Sequence, residues 1–132
     1  MILPKDGVYA MYLRKSRADV EAETRSQFET LAHHEQILTE LADRYGIHIS
    51  KTYKELASGD SINDRPEVQK LLSEVSAGIY DGVLVTEISR LARGRTTDQG
   101  TVSETFLRSG TLIITPSKVY NPADEADETF FD

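Results

Sequence analysis

Short apolar stretches separated by segments of helical periodicity constrain the fold of this 132-residue chain more than any other feature. VYAMYL (8–13), VLVT (83–86) and TLIIT (111–115) are short and continuously apolar, as strands buried on both faces are. We expect a further strand at IHISKTY (47–53) and a short one around 118–120. The sequence therefore predicts a sheet of four to five strands.

Three helices are predicted between these strands. Ser26 and Glu29 form a capping box, after which apolar residues recur at helical spacing until Gly46 ends the first helix. The polar stretch ELASGDSIND (55–64) predicts a loop, and its last residue, Asp64, is expected to cap the second helix. The third helix is expected over 97–108, and the inward-facing residues of these two helices are expected to be Val68, Leu71, Leu72, Val75, Val102 and Phe106.

The order β-α-β-α-β-α-β predicts an α/β fold of the doubly wound, flavodoxin-like type, a mostly parallel sheet with helices on both faces. Composition excludes several classes of protein. The chain has no cysteine, which excludes disulfides and thiolate metal sites, and no apolar run long enough to span a membrane. MILPKDG at the start lacks the pattern of a signal peptide, so we expect a soluble, cytoplasmic domain.

The net charge of −7 is unevenly distributed along the chain. Residues 121–132 hold five acidic residues and no lysine or arginine, so most of the acidity belongs to the C-terminal segment. His33 and His34 are adjacent on the first helix and point about 100° apart, so they cannot bind one metal ion as an i, i+4 pair would.

Basic residues concentrate after the first and third predicted strands. Ligands of doubly wound sheets bind beyond the carboxyl ends of the strands, so these residues meet at one site if the two strands are neighbours. In an extended strand Arg14 and Ser16 share a face, while Lys15 and Arg17 point elsewhere. The candidate cluster consists of Arg14, Ser16 and Arg17 after the first strand and Arg90, Arg93 and Arg95 after the third, and Arg65 at the first turn of the second helix could join it.

Several arginines around one serine suit a phosphate or phosphodiester ligand. Guanidinium groups bind phosphate oxygens in a bidentate manner and oppose the charge that develops during attack on phosphorus. The phosphate loop G-x-x-x-x-G-K-[ST] and the hydrolase motif G-x-S-x-G are absent from the sequence. Three interpretations remain: an enzyme that cleaves and rejoins a phosphodiester, a non-catalytic relative that oligomerises or regulates, and a domain that binds a small phosphate ligand.

Three motifs resemble those of the serine recombinases, the resolvase/invertase family, and look closest to the large members such as phage integrases and transposon excision enzymes. They are YLRKS at 12–16, ASGDSINDRP at 57–66 and SRLAR at 89–93. The resemblance implies a resolvase-type fold in which Ser16 attacks the scissile DNA phosphate and forms a 5′-phosphoserine intermediate. It assigns phosphate binding and transition-state stabilisation to Arg14, Arg65, Arg90 and Arg93.

The resemblance also implies the partners of the domain. Such enzymes act on double-stranded DNA, use neither a metal ion nor ATP, and assemble from dimers into a tetramer. It predicts a catalytic domain over 1–120, with 121–132 as the start of a long assembly helix and the DNA-binding region outside this chain.

The third motif departs from the family pattern, because the family usually has aspartate where this chain has Ser89. Glu87, two residues earlier, could supply the missing carboxylate, and His34 could hydrogen-bond within the site or lie on the polar face of its helix. We expect further contacts with DNA phosphates from Lys15, Arg17 and Arg95.

Overall fold

A five-stranded sheet in the order β2-β1-β3-β4-β5 forms the centre of the computed structural model, which describes residues 3–16, 27–57, 61–92 and 96–122. The first four strands are parallel, and β5 is antiparallel to β4. The predicted doubly wound α/β fold is confirmed. The elements are β1 (Tyr9–Ser16), α1 (Gln27–Tyr45), β2 (Ile49–Ala57), α2 (Pro66–Ser76), β3 (Gly82–Leu84), α3 (Thr96–Ser109), β4 (Leu112–Ile114) and β5 (Val119–Tyr120), with short 3-10 turns at Ile62–Asp64 and Ile88–Arg90.

Two strands extend further toward their carboxyl ends than the sequence predicts. β1 continues to Ser16 because it pairs with β2 in parallel register up to the pair Ser16 and Ala57. The same pairing makes residues 55–57 part of β2, so the prediction of a loop from residue 55 is wrong at its first three residues. The polar sequence of residues 55–57 does not indicate a strand, because this part of β2 forms through backbone pairing with β1 and not through an apolar side-chain pattern.

Two hydrophobic cores lie on opposite faces of the sheet, and the alternation of β1 contributes to both. Met11 and Leu13 face α1 and pack with Leu38, whereas Ala10 and Tyr12 face the helices α2 and α3. The predicted inward residues of α2 and α3 are confirmed as buried: Val68, Leu71, Leu72, Val75, Val102 and Phe106. Arg14 continues the row of Tyr12, so it belongs to the α2 and α3 face.

The N-terminus of α2 is capped by a residue that the sequence does not suggest. The prediction that Asp64 caps this helix is wrong, because Asp64 ends the 3-10 turn and Arg65 occupies the cap position without a capping side-chain hydrogen bond. The carboxylate of Glu55 on β2 accepts hydrogen bonds from the backbone N–H groups of Glu67 and Val68, both at 2.9 Å. A neighbouring strand thus supplies the oxygen atoms that a helix N-terminus needs.

Gly46 ends α1 as predicted. It has a φ of 70°, in the left-handed region that favours glycine after a helix. No helix within the described ranges is long and apolar enough to cross a membrane.

A polar cluster at the outer edge of the sheet gives a prediction for stability. The Glu74 carboxylate accepts a hydrogen bond from Lys51 at 2.8 Å and another from Tyr53, whose hydroxyl lies 2.8 Å from that of Tyr80. The bond from Lys51, and then that from Tyr53, lowers the pKa of Glu74. A carboxyl group whose pKa is lower in the folded protein than in the unfolded chain stabilises the fold at pH values above its unfolded pKa. This stabilisation is lost as the pH falls through the pKa of the group in the folded protein.

We expect Glu74→Gln to reduce the free energy of unfolding at neutral pH by about 1 kcal/mol and to flatten its decline in acid, measured by urea denaturation across pH. Glu104→Gln is the matched control, because Glu104 pairs with Arg108 on the surface with both side chains largely exposed. Such pairs contribute little, so the control is expected to change stability by less than about 0.5 kcal/mol. Equal effects of the two substitutions would contradict the prediction.

Candidate active site

The carboxyl ends of β1 and β3 lie side by side, as the grouping of basic residues requires. The pairing of the two strands ends at Met11 and Leu84, and β1 then runs on to Ser16 beside the segment that contains the turn Ile88–Arg90. Arg90 Nη1 donates a hydrogen bond to the backbone oxygen of Arg14 at 3.4 Å. The first and third motifs are therefore joined by a direct contact.

The described part of the site brings together three of the four predicted phosphate-binding arginines. Arg14 and Arg65 are almost completely buried, and the Arg90 side chain is 23% exposed. Ser16 is the last residue of β1, which places its backbone at this edge of the sheet. The predictions for the Ser16 and Lys15 side chains, and for Arg17, Arg93 and Arg95, lie outside the described residues.

Arg90 is oriented by its own turn. Its Nη2 lies 3.1 Å from Glu87 Oε1, so Glu87 supplies a carboxylate beside the third motif. Glu87 itself is largely exposed, and an ion pair of this kind adds little to stability. Ser89 lies between the two residues in the same turn and is half-buried. The contact holds the guanidinium at the carboxyl-end edge of the sheet.

The two terminal nitrogens of Arg65 are directed to protein oxygens. Nη1 donates to the Arg90 backbone oxygen at 2.9 Å and to the Tyr12 hydroxyl at 3.3 Å, and Nη2 donates to the Leu91 backbone oxygen at 2.6 Å. These bonds tie the start of α2 to the segment that follows β3. The Nε–H groups of Arg65 and Arg90 are buried and have no hydrogen-bond partner among the described residues.

Two residues of this site are missed by the sequence reasoning, Tyr12 and Glu55. The Tyr12 hydroxyl donates to Glu55 Oε1 at 2.9 Å, and both residues are buried. Burial, opposed by the nearby Arg65 charge, raises the pKa of Tyr12, so this hydroxyl keeps its proton. Tyr12 could have been found from its alternation with Arg14, whereas Glu55 was hidden in a segment interpreted as a loop.

His34 lies on α1, which covers the opposite face of the sheet from Tyr12. It is half-buried, and its ring centroid is 6.5 Å from that of His33. Within the described residues, no group of three or more His, Asp or Glu side chains is arranged to hold a metal ion.

Comparisons with known proteins agree with this geometry. Residues 9–132 match the family described as Resolvase, N terminal domain. The solved N-terminal catalytic domain of TP901-1 integrase is similar at 24% identity over 93% of this chain and 88% of that one, with a TM-score of 0.71. The C-terminal catalytic domain of ISC1926 TnpA, an IS607-like serine recombinase, shares 27% identity over 82% of this chain and 68% of that one, with a TM-score of 0.66. The structure of a resolvase family site-specific recombinase from Streptococcus pneumoniae is similar at 19% identity over 92% of this chain and 80% of that one, with a TM-score of 0.69.

The family match and the similarity to solved recombinase domains place the protein in the class of serine recombinase catalytic domains. The chain belongs to the resolvase family and corresponds to its N-terminal domain. Membership implies site-specific DNA recombinase activity with DNA as the substrate.

Proposed function

We propose that Ser16 is the nucleophile of this recombinase. Its Oγ loses its proton as it attacks the scissile phosphorus, the bond from phosphorus to the 3′ oxygen breaks, and the 3′ oxygen takes up a proton and leaves as a hydroxyl. The Oγ–P bond that forms retains a 5′-phosphoserine, and attack by a 3′-hydroxyl in the reverse direction rejoins the strands. Rejoining needs no nucleotide cofactor, because the phosphoserine bond conserves the energy of the original phosphodiester, and we propose that arginines rather than a metal ion oppose the charge at phosphorus.

The observation that carries this proposal is the contact between Arg90 and the Arg14 backbone at the end of the strand that contains Ser16. It brings cations from two distant motifs to the residue expected to react. We assign phosphate binding to Arg14, Arg90 and Arg93, whose charges would oppose the negative charge of the transition state. For Arg65, the fourth arginine that the resemblance assigns to the phosphate, we propose a structural role instead, because its terminal nitrogens donate to protein oxygens. Buried N–H groups such as Arg90 Nε are suited to a ligand that enters the site.

Further assignments rest on family membership and on charge. We propose that Lys15, Arg17 and Arg95 contact phosphates of the duplex, and that the protein acts in the cytoplasm as dimers that assemble into a tetramer. Residues 1–120 would form the catalytic unit and 121–132, most of which lie outside the described residues, would begin the assembly helix. A second region of the protein would then read the DNA sequence, which is consistent with an acidic catalytic domain.

The test maps the residue that becomes linked to DNA. The protein in its full natural length would first select its duplex from a random-sequence pool by binding. After incubation with that duplex, denaturation and nuclease digestion, peptide mass spectrometry is expected to find a nucleotide on Ser16. Attachment to another residue would refute Ser16 as the nucleophile, and a bound duplex that never becomes attached would favour a non-catalytic, regulatory domain.

A further inference from the structure

The Glu55 carboxylate connects two parts of the molecule. It caps α2 through the backbone N–H groups of Glu67 and Val68, and it also accepts the hydrogen bond of the Tyr12 hydroxyl. Glu55 is 1% exposed and lies opposite Arg14 in the pairing of β1 with β2. A buried carboxylate is costly unless its oxygens are hydrogen-bonded, and three donors satisfy this one.

The connection continues from Tyr12 to the third motif. The Tyr12 hydroxyl donates to Glu55 and accepts a hydrogen bond from Arg65, which in turn donates to the backbone oxygens of Arg90 and Leu91. The helix start that Glu55 caps is the same one at which Arg65 stands. Glu55 therefore fixes the backbone at the start of α2 and, through Tyr12, the guanidinium of Arg65.

We propose that Glu55 is a positioning residue for the recombinase reaction, acting through Tyr12 and Arg65 on the turn that carries Arg90. In this proposal Arg65 holds the turn in place, because its Nη atoms are directed to protein oxygens and it is 1% exposed. The effect on the reaction rests on the proposed function, whereas the effect on Arg65 can be measured without it.

Tyr12→Phe separates positioning from helix capping. It removes the hydroxyl between Glu55 and Arg65 but leaves the bonds of Glu55 to α2 intact. Tyr53→Phe is the matched control, because Tyr53 faces Tyr12 in the strand register, is equally buried, and bonds to Glu74 and Tyr80 instead. Both variants lose one buried hydroxyl from the same core, so their losses of stability are expected to be similar.

The first measurement is the rate of adduct formation on the selected duplex, as a function of DNA concentration. We expect Tyr12→Phe to lower the rate at saturating DNA about tenfold and to leave the half-saturating concentration within about twofold, because the phosphate ligands are retained. Tyr53→Phe should keep the wild-type rate. Equal rates for the two variants, or a change only in the half-saturating concentration, would overturn the proposal.

The second measurement is solvent exchange of the Arg65 guanidinium hydrogens, followed by NMR on arginine-labelled protein. We expect faster exchange in Tyr12→Phe than in Tyr53→Phe, and unchanged protection in Tyr12→Phe would overturn the proposal. Wild-type protein that forms no adduct would refute the proposed function, and the exchange experiment would still decide whether Tyr12 holds Arg65.

Glu55→Gln tests whether Glu55 acts through Tyr12. If it does, the double variant Tyr12→Phe, Glu55→Gln should slow adduct formation by a smaller factor than the product of the two single-variant factors. The reason is that both substitutions interrupt the same chain of hydrogen bonds. Multiplicative effects would show that Glu55 acts independently of Tyr12 and would overturn the proposed connection.

Discussion

Replacement of Ser16 by alanine is expected to abolish the covalent protein–DNA adduct and all recombinant product. Loss of the nucleophile removes the atom that forms the bond to phosphorus, and losses on the order of a million-fold accompany removal of the attacking serine in serine proteases. DNA binding should persist, because the arginines that contact phosphate remain. Adduct formation on denaturing gels, together with a binding titration on the same duplex, measures both quantities.

Ser73→Ala is the matched control for this variant. Ser73 is an exposed serine on α2, so the same chemical change should leave adduct formation and binding unaltered. An adduct that survives Ser16→Ala at a comparable rate would mean that another residue attacks the phosphate. Loss of the adduct in both variants would point to a general defect of the preparation.

Arg90→Gln is expected to slow adduct formation about 100- to 1000-fold, the usual cost of removing one preorganised donor to a developing negative charge. Arg90 is the described arginine of the third motif that combines partial exposure, a buried Nε–H group and a contact with the Arg14 backbone. Single-turnover kinetics at saturating DNA measure the effect. Arg108→Gln, which removes an exposed guanidinium paired with Glu104 on α3, should have no comparable effect.

A neutral phosphate distinguishes binding of charge from positioning. With a methylphosphonate at the mapped scissile position, the defect of Arg90→Gln should shrink to less than about tenfold, because less negative charge has to be opposed. The defect of Tyr12→Phe should persist on this substrate, because a displaced turn is not corrected by removing charge. If the Arg90→Gln defect is undiminished, Arg90 does not act by neutralising the phosphate.

Most of the fold could be predicted because its elements follow local rules. The apolar strands, the buried faces of α2 and α3, and Gly46 after α1 depend on periodicity and backbone preference within a few neighbouring residues. The end of β2 could not be predicted in this way. Residues 55–57 have a polar, loop-like sequence context and become a strand because β1 pairs beside them.

The meeting of Arg14 with Arg90 was predictable on the condition that strands one and three are neighbours, which the pairing of β1 with β3 fulfils. In a doubly wound sheet the carboxyl ends of neighbouring strands share an edge, so basic residues after strands one and three converge there. The N-terminal cap of α2 was not predictable. Asp64 has the right residue type and sequence position, but the 3-10 turn at Ile62–Asp64 removes it from the cap, and Glu55 takes its place.

The sequence by itself determined the fold class, the resolvase family and the segments that supply the site, because these depend on local patterns and on motif order. Only the tertiary structure decided how Tyr12, Glu55 and Arg65 are connected. Tyr12 is 43 residues from Glu55 and 53 from Arg65, and no periodicity relates such positions. Burial then determined their partners, since a carboxylate, a phenol and a guanidinium removed from water must hydrogen-bond to the polar atoms nearest to them.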